Sequence, residues 1–173
     1  MKRIELSFLL IILLFLSGCL EPRANISSPK SYSNLGIQFE YPKNWKITED
    51  EQDDFVRYLF IESPGDAIVI LQIYGKEDKL DLENFAHDFS DNAKNELPIG
   101  VFSDSTFEVT GDYLEEKFTI SLLNESVPHR RKYALRDYNE QICFIVFQVA
   151  EEDLDKTNPG FDLIIKTLKY EKS

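Results

Sequence analysis

Residues 141–149, QICFIVFQV, decide the fold of this chain. The stretch is apolar at both odd and even positions, and successive side chains of a strand point to opposite faces of a sheet. This pattern therefore predicts a central strand that is covered on both sides. The polar residues 137–140 separate it from another predicted strand at residues 130–137, so we expect the two to form a hairpin.

The rest of the chain supplies further strands and two amphipathic helices. Gly, Pro, Asn and Asp residues punctuate short apolar or alternating runs, which predict strands. These strands fall at residues 36–47 (two strands joined by a turn at 42–44), 58–61, 67–74, 106–109 and 113–123. Apolar residues at helical spacing predict one helix over residues 80–97 and another that starts at Thr157, Asn158 and Pro159. A layered α/β/α sandwich follows.

Composition limits the chain to one acidic domain. The sequence has 173 residues, of which 43% are hydrophobic, enough for a single substantial core. It carries 19 Lys and Arg against 31 Asp and Glu, so phosphate backbones are repelled. We expect no nucleic-acid partner.

The N-terminal sequence predicts an export signal. Lys2 and Arg3 precede the apolar run LSFLLIILLFL at residues 6–16, which has the length of a signal-peptide core and is short for a membrane span. The next residues, Leu16-Ser17-Gly18-Cys19, resemble the lipobox of prokaryotic lipoproteins. We therefore predict a signal peptide at 1–18, a lipidated Cys19 and flexible tether at 19–35, and a globular domain at 36–173.

Lipid on Cys19 would fix the location of the mature protein. The lipobox resemblance implies a diacylglyceryl group on the cysteine sulfur, and two acyl chains give stable attachment where one is marginal. The partner at this site is therefore membrane lipid, with the domain on the extracytoplasmic side of the cell envelope. In a diderm host the outer membrane is the expected destination, because Leu20 is not the aspartate that resembles an inner-membrane retention signal.

The domain opens with GIQFEYPKNW and closes with FDLIIKTLKY, with the strands and helices described above between them. In these motifs and in the order of its elements, over nearly its whole length, it resembles the PsbP-like and DcrB-like group, which includes many bacterial lipoproteins. It implies an α+β fold with a mainly antiparallel central sheet flanked by helices. Members of the group mostly bind or assist other proteins, and the fold is shared with thylakoid photosystem assembly proteins.

The second cysteine is predicted to be structural. Cys143 lies inside the central strand between Ile142 and Phe144. A buried thiol behaves as a small hydrophobic group with a raised pKa, so we expect no reactive nucleophile.

The single basic run suggests an interaction surface. His129, Arg130, Arg131 and Lys132 are adjacent in an otherwise acidic domain and could meet a phosphate head group or an acidic partner. Pairing of these charges with carboxylates on neighbouring strands is the alternative interpretation, and the preferred one.

Three further groups have both a functional and a structural interpretation. Glu83, His87 and Asp91 have helical spacing that suits a divalent ion, although a solvated helix face explains it as well. The acidic residues from Glu49 to Asp54 are predicted to form a loop, with calcium binding as the less favoured function. The aromatics that could line a ligand groove or pack in the core are Tyr41, Trp45, Phe55 and Tyr58.

No catalytic motif is present in the sequence. There are two histidines, and neither a Gly-x-Ser-x-Gly motif nor a P-loop occurs. We therefore predict a non-catalytic protein-binding or assembly module that needs no cofactor and has a protein partner. The alternative is a small-ligand or metal-binding lipoprotein that uses a pocket between sheet and helix.

Overall fold

The computed structural model describes residues 23–76, 81–96, 101–103, 105–122 and 125–171. The helices are α1 (Leu82–Glu96) and α2 (Leu154–Thr167), and a short 3₁₀ helix, Glu151–Asp153, leads directly into α2. The strands are β1 (Lys30–Asn34), β2 (Ile37–Tyr41), β3 (Lys46–Gln52), β4 (Val56–Glu62), β5 (Ile68–Gly75), β6 (Val101–Phe102), β7 (Thr106–Thr110), β8 (Tyr113–Leu122), β9 (Glu125–Asp137), β10 (Gln141–Ala150) and β11 (Lys169–Tyr170).

The strands form two sheets. An eight-stranded sheet has the order β3-β4-β5-β10-β9-β8-β6, with β7 also paired to β8, and a three-stranded sheet has the order β1-β2-β11. All pairs between described strands are antiparallel. The predicted α+β class with a mainly antiparallel sheet and flanking helices is therefore confirmed.

Strand β10 lies at the centre of the large sheet, between β5 and β9. Cys143, Ile145 and Phe147 belong to the core on the α2 side. Phe144 and Val146 belong to the core on the α1 side. The prediction of a strand buried on both faces is confirmed, because apolar side chains leave β10 in both directions.

The environment of Cys143 is also as predicted. Its side chain is fully buried, and it is the free cysteine of the described residues. Burial raises the pKa of the Cys143 thiol to about 12, although the positive charge of Arg136 lowers it by a smaller amount. The thiol is therefore protonated at neutral pH.

Helix α2 and the three-stranded sheet cover β10 on one side of the large sheet. Phe161 of α2 stacks on Phe147 with ring centroids 4.6 Å apart, and Ile164 and Ile165 are buried beside it. The three-stranded sheet adds Ile37 and Phe39 to the same core. Helix and small sheet together form the layer over β10 on this side.

Helix α2 begins earlier than the sequence pattern indicates. It starts at Leu154, so Pro159 lies inside the helix and Thr157 is not its cap. Thr157 is buried, and its hydroxyl donates a 2.8 Å hydrogen bond to the carbonyl of Asp153. Leu154 packs against the core, which stabilises the extra turn despite the backbone hydrogen bond that Pro159 cannot donate.

The prediction of a flexible tether is wrong for residues 24–34. Lys30–Asn34 pairs with β2 as β1, and Tyr32 stacks on Phe39 at 4.9 Å between ring centroids. Ala24 is buried, and its backbone N–H donates to the carbonyl of Lys156 at 2.9 Å. The folded domain therefore starts before Gly36. Residues 1–22, with the predicted signal peptide and Cys19, lie outside the described residues.

Two stretches for which the sequence pattern predicted no strand belong to strands. Most of the acidic segment belongs to β3, an edge strand paired only with β4 in the described chain, where charged side chains are tolerated and oppose edge-to-edge aggregation. Pro128 falls within β9, opposite Thr119 of β8. The turn after β3 is made by Asp53, whose side chain accepts the backbone N–H groups of Phe55 and Val56.

A buried arginine joins the two sheets. Arg57 of β4 donates from Nε and Nη2 to the two carboxylate oxygens of Asp50 of β3, at 2.8 and 3.0 Å. The same guanidinium donates to the Tyr32 hydroxyl at 2.6 Å and to the Asn34 carbonyl at 3.2 Å, both in β1. Burial alone would raise the pKa of Asp50, but hydrogen bonds from Arg57 and from β1 outweigh it and lower the pKa to about 2.

The turn between β2 and β3 is locked against α2. Pro42 and Trp45 are buried, and the backbone N–H of Trp45 donates a 3.0 Å hydrogen bond to the carbonyl of Pro42. Both rings press on Gly160 of α2, where an added Cβ would lie 2.7 Å from Pro42 Cγ and from Trp45 Cη2. The sequence Tyr41-Pro42-Lys43-Asn44-Trp45 thus fixes α2 against the turn. Only glycine fits at position 160, where the helix meets the two rings.

We predict that Gly160→Ala destabilises the protein by about 1–3 kcal/mol, because the new methyl group would clash with the rings of Pro42 and Trp45. The matched control is Gly75→Ala, where an added Cβ meets nothing within 4 Å. Urea unfolding of both variants measures the difference. Equal stability of the two variants would contradict the packing described here.

We also predict a pH-dependent contribution from Asp50. Its pKa is lowered in the folded state, so its stabilisation is present above the unfolded pKa, near 4, and is lost as the pH falls through about 2. At neutral pH the wild type should exceed Asp50→Asn by about 1–2 kcal/mol in free energy of unfolding, and the gap should shrink between pH 5 and 2. Urea unfolding across this range tests it, and a gap independent of pH would refute it.

Candidate ligand-binding groove

Helix α1 begins at a well-formed cap. The Asp81 carboxylate accepts a 2.9 Å hydrogen bond from the backbone N–H of Asn84, and this contact together with the Asn84 side chain lowers the pKa of Asp81. From this start, Phe85, Phe89 and Ala93 follow one another at intervals of four residues on one side of the helix. The predicted amphipathic helix is confirmed within the described residues.

Aromatic contacts place α1 over the β10–β9 part of the sheet. The Phe85 ring stacks on Phe144 of β10 with centroids 4.0 Å apart. Phe85 and Phe89 also meet Tyr133 of β9 edge-on, at 6.4 and 6.0 Å. The helix is therefore displaced from the middle of the sheet, toward β9 and β8.

This displacement leaves a groove between α1 and strands β4 and β5. Its volume is about 660 Å³, within the range of known ligand pockets. The sheet wall consists of side chains that point toward α1, most of them aromatic and half-buried: Tyr58 and Phe60 from β4, and Ile70, Gln72 and Tyr74 from β5.

The helix wall of the groove has an apolar row and a polar row. The apolar row is the one that packs on the sheet, formed by Phe85, Phe89 and Ala93. The polar row consists of Asn84, Asp88 and Asn92, each exposed and four residues from the next. A ligand in the groove would thus meet apolar surface below and amide and carboxylate groups above.

The edge strand β3 adds acidic side chains beside the sheet wall. In the strand register Glu51 lies opposite Tyr58, and Glu49 lies opposite Phe60. Directly opposed residues of an antiparallel pair project to the same face, so both glutamates stand on the groove face. Carboxylates therefore flank the aromatic surface on both sides.

A buried ion pair lies under the other flank of α1. Glu116 of β8 and Arg131 of β9 are 0% and 1% exposed, and Arg131 Nη1 donates to Glu116 Oε2 at 3.1 Å. Ser90 of α1 donates to Glu116 Oε1 at 2.5 Å, and Tyr133 donates to Glu116 Oε2 at 2.5 Å. The guanidinium lies 4.3 Å from the centroid of the Phe118 ring.

The electrostatics of this cluster are balanced. Burial alone would raise the pKa of Glu116, but the charge of Arg131 and the hydroxyl hydrogen bonds outweigh it and lower the pKa. Burial and the neighbouring carboxylate raise the pKa of Tyr133. Glu116 is therefore ionised and Tyr133 protonated at neutral pH, and the hydrogen bonds of Ser90 and Tyr133 to Glu116 fix α1 to β8 and β9.

The four predicted surface residues of the basic run do not form one surface. Strand alternation in β9 sends Arg131 into the core and Arg130 and Lys132 to the opposite face. Arg130 lies near Glu115 and Glu151, and Lys132 lies 3.9 Å from Glu115.

His129 is half-buried, and its ring stacks on Phe118 with centroids 5.5 Å apart. The preferred interpretation, pairing of these charges with carboxylates of neighbouring strands, fits Arg130, Arg131 and Lys132. The burial of Arg131 could have been predicted from the sequence. Arg131 is two residues from Tyr133 in the same strand, so both side chains project to the same face of the sheet.

Neither of the two candidate metal sites, Glu83, His87 and Asp91 on α1 or the acidic residues from Glu49 to Asp54, brings its side chains together around one point. His87 is exposed on the outer side of α1, where its ring packs 4.2 Å from the centroid of Phe107. Of the residues from Glu49 to Asp54, Asp50 is bound to Arg57 and Asp53 makes its turn. Among the described residues, no three His, Cys, Asp or Glu side chains converge as metal ligands would.

The four aromatics singled out from the sequence take separate roles. Trp45 is buried in the core, and Tyr41 packs beside Phe39 at 6.0 Å between centroids. Phe55 is 82% exposed at the turn after β3. Of these four aromatics only Tyr58 lines the groove, and the other groove residues come from β4, β5 and α1.

Comparisons with known proteins support the fold. No protein-family model and no curated protein matches the chain. The solution structure of cyanobacterial PsbP (CyanoP) from Synechocystis is similar, with a TM-score of 0.51 and 13% identity over 90% of this chain and 99% of that chain. The predicted PsbP-like resemblance is therefore confirmed as a fold.

Two further structures align with lower scores. A crystal structure from Bacteroides thetaiotaomicron has a TM-score of 0.47 and 11% identity, covering 83% of this chain and 49% of that chain. LpqN, which is involved in cell envelope biogenesis of Mycobacterium tuberculosis, has a TM-score of 0.38 and 13% identity over 86% of this chain and 99% of that chain. Neither similarity carries an argument about function.

We predict that Arg131→Met destabilises the protein by about 3–5 kcal/mol, because it leaves Glu116 charged and buried without its partner. A second change, Glu116→Leu in the same chain, should restore part of this loss. Arg130→Met, on the neighbouring residue and the opposite face, is the control and should cost less than about 1 kcal/mol. Thermal and urea unfolding provide the measurements, and equal losses for the two arginines would show that the ion pair is unimportant.

Proposed function

We propose that this protein is a lipid-anchored, extracytoplasmic binding module without catalytic activity, and that the groove between α1 and strands β4 and β5 is its binding surface. The observation that carries the proposal is the groove itself: an aromatic surface on the sheet left open beside a helix. Isolated exposed apolar residues are ordinary, but a concave cluster with polar groups at its rim is typical of a binding site.

The chemistry of the groove favours binding over catalysis. Its titratable groups are two aspartates and two tyrosines, and Asp81 is already used as a helix cap. A catalytic site is typically recognised by a nucleophile beside a base, or by titratable groups with strongly perturbed pKa values in one cleft. Within the described residues Tyr133 and Cys143, whose pKa values are strongly raised, are buried in the core. Tyr32 and Asp50, whose pKa values are also strongly shifted, are bound to Arg57 outside the groove.

The membrane location rests on the N-terminal sequence. Lys2, Arg3, the apolar run at 6–16 and the lipobox-like residues ending in Cys19 support export followed by lipidation. No described helix is long and apolar enough to cross a membrane. A diacylglyceryl group on Cys19 would hold the domain at the surface of the envelope, close to membrane-bound partners.

A small-molecule ligand is the second candidate, favoured by the volume of the groove. The groove has the size of a pocket for a drug-sized compound, and Gln72, Asn84 and Asn92 offer hydrogen-bonding groups. The proposed protein partner is preferred because the groove is open along the helix, and small-ligand pockets bury most of their ligand.

We predict that Cys19→Ser moves the protein from the membrane fraction to the soluble fraction, because the acyl chains have no other attachment point in the lipobox-like sequence. Cys143→Ser is the matched control and should stay in the membrane fraction. Cell fractionation and the mass of the mature protein provide the readout. A Cys19→Ser protein that remains bound to membranes would reject the anchor.

Photo-cross-linking tests the binding surface in the native envelope. A photoreactive amino acid at Phe60, inside the groove, should give a discrete cross-linked protein product in intact cells. The same residue at Val109, which is 77% exposed on β7, serves as the control. The proposed function fails if the Phe60 position gives no product, or only the products that Val109 gives.

A further inference from the structure

We infer that the occupant of the groove is a basic segment of a partner protein, with two or more Lys or Arg residues next to apolar ones. This inference rests on the proposed function, because it assigns the chemistry of the partner to the same groove. Three observations carry it: unpaired carboxylates on both sides of the groove, an aromatic floor between them, and the length over which the carboxylates are spread.

The carboxylates around the groove differ from those that the fold binds to arginine. Asp50 is bound by Arg57, and Glu116 by Arg131. Glu49, Glu51 and Asp88 are exposed, and within the described part of the chain no hydrogen bond or ion pair engages them. These three negative charges are therefore available to a ligand.

Among the described residues, no basic side chain lines the groove. On the strands and the helix beside it, Arg57 is held on the opposite face by Asp50, and Lys94 of α1 lies 3.4 Å from Asp91. Lys46 lies opposite Glu62, which is two residues along β4 from Phe60. The groove is thus a region of negative potential, which attracts positive segments and disfavours acidic ones.

The aromatic floor suits long basic side chains. Tyr58, Phe60 and Tyr74 are half-buried and lie between the edge strand β3 and the polar row of α1. Lys and Arg carry apolar stems that pack on such rings while their charged ends reach carboxylates. Their cationic groups are also attracted to the faces of aromatic rings. The aromatic rings can therefore contact the apolar stem of a Lys or Arg side chain while the carboxylates beside them bind its charged end.

The spacing of the carboxylates favours a peptide over a single small cation. Glu49 and Glu51 are separated by about 7 Å along the strand, and Asp88 lies on the helix at the other side of the groove. One ammonium group contacts only one of these positions at a time. An extended chain rises by about 3.3 Å per residue, so alternate basic residues of a peptide fall at matching intervals.

Peptide binding to the full-length lipidated protein in lipid nanodiscs tests the inference. The probe is a fluorescent ten-residue peptide that alternates lysine and leucine, and fluorescence polarisation measures its affinity. Empty nanodiscs of the same neutral lipid correct for binding to the membrane. The affinity should fall as salt is raised, because the contacts are between exposed charges.

Two double variants distinguish the groove from general acidity. Glu51→Gln with Asp88→Asn removes one charge from each side of the groove and should weaken binding by about tenfold. Glu152→Gln with Asp155→Asn removes the same charge near the start of α2 and should leave binding unchanged. Thermal unfolding of both variants verifies that the fold is retained.

Three other results would overturn the inference while leaving a binding groove. These are equal affinity for a glutamine–leucine or glutamate–leucine peptide, equal loss of affinity in the two double variants, and full-strength binding of phenethylamine that displaces the peptide. The last result would identify a small-molecule cation site instead. Failure of the proposed function itself is a separate outcome, in which no probe binds and the Phe60 cross-linker captures no discrete protein.

Discussion

The rest of the structure depends on the burial of β10 on both faces. A strand with Cys143, Ile145 and Phe147 on one side and Phe144 and Val146 on the other is unstable unless two layers cover it. On one side α2 and the three-stranded sheet together cover it. On the other side the described covering helix is α1 alone, and a single helix is narrower than a sheet of this width.

The position of α1 decides which part of the sheet stays open. Phe85 seats the helix on Phe144, and Ser90 bonds it to Glu116 of β8. The buried pair of Glu116 and Arg131 therefore does more than satisfy two charges, because it holds the helix toward β8 and β9. The consequence is an aromatic surface on β4 and β5 that lies open beside the helix, and the acidic edge strand β3 borders it.

Much of the fold could be predicted from the sequence, because local periodicity determined it. The two-sided apolar pattern of residues 141–149 identified the central strand, and the spacing of Phe85 and Phe89 identified α1. The errors arose where tertiary contacts outweighed local signals. Pro159 was expected to start a helix, but packing of Leu154 extends that helix by a turn. Residues 30–34 look like a linker, yet Tyr32 and pairing with β2 make them a strand.

The groove itself could not be predicted, since its walls come from segments that only the fold brings together. Tyr58 was a candidate from its type alone, whereas Gln72 and Asp88 gave no local signal. Likewise Arg131 pairs with Glu116, 15 residues away, through the β8–β9 register. The exposed appearance of the basic run was misleading, because strand alternation distributes adjacent charges over two faces.

Hydroxyl-radical footprinting of the full-length protein tests whether α1 leaves the surface of β4 and β5 open, because it reports the exposure of individual aromatic rings. We expect oxidation of Tyr58 and Phe60 in the absence of partner, while Phe144 and Tyr133 on the same face of the sheet stay protected. On addition of the lysine–leucine peptide, Tyr58 and Phe60 should become protected. Equal protection of all four rings in the unbound protein would contradict the claim that α1 leaves the surface of β4 and β5 open.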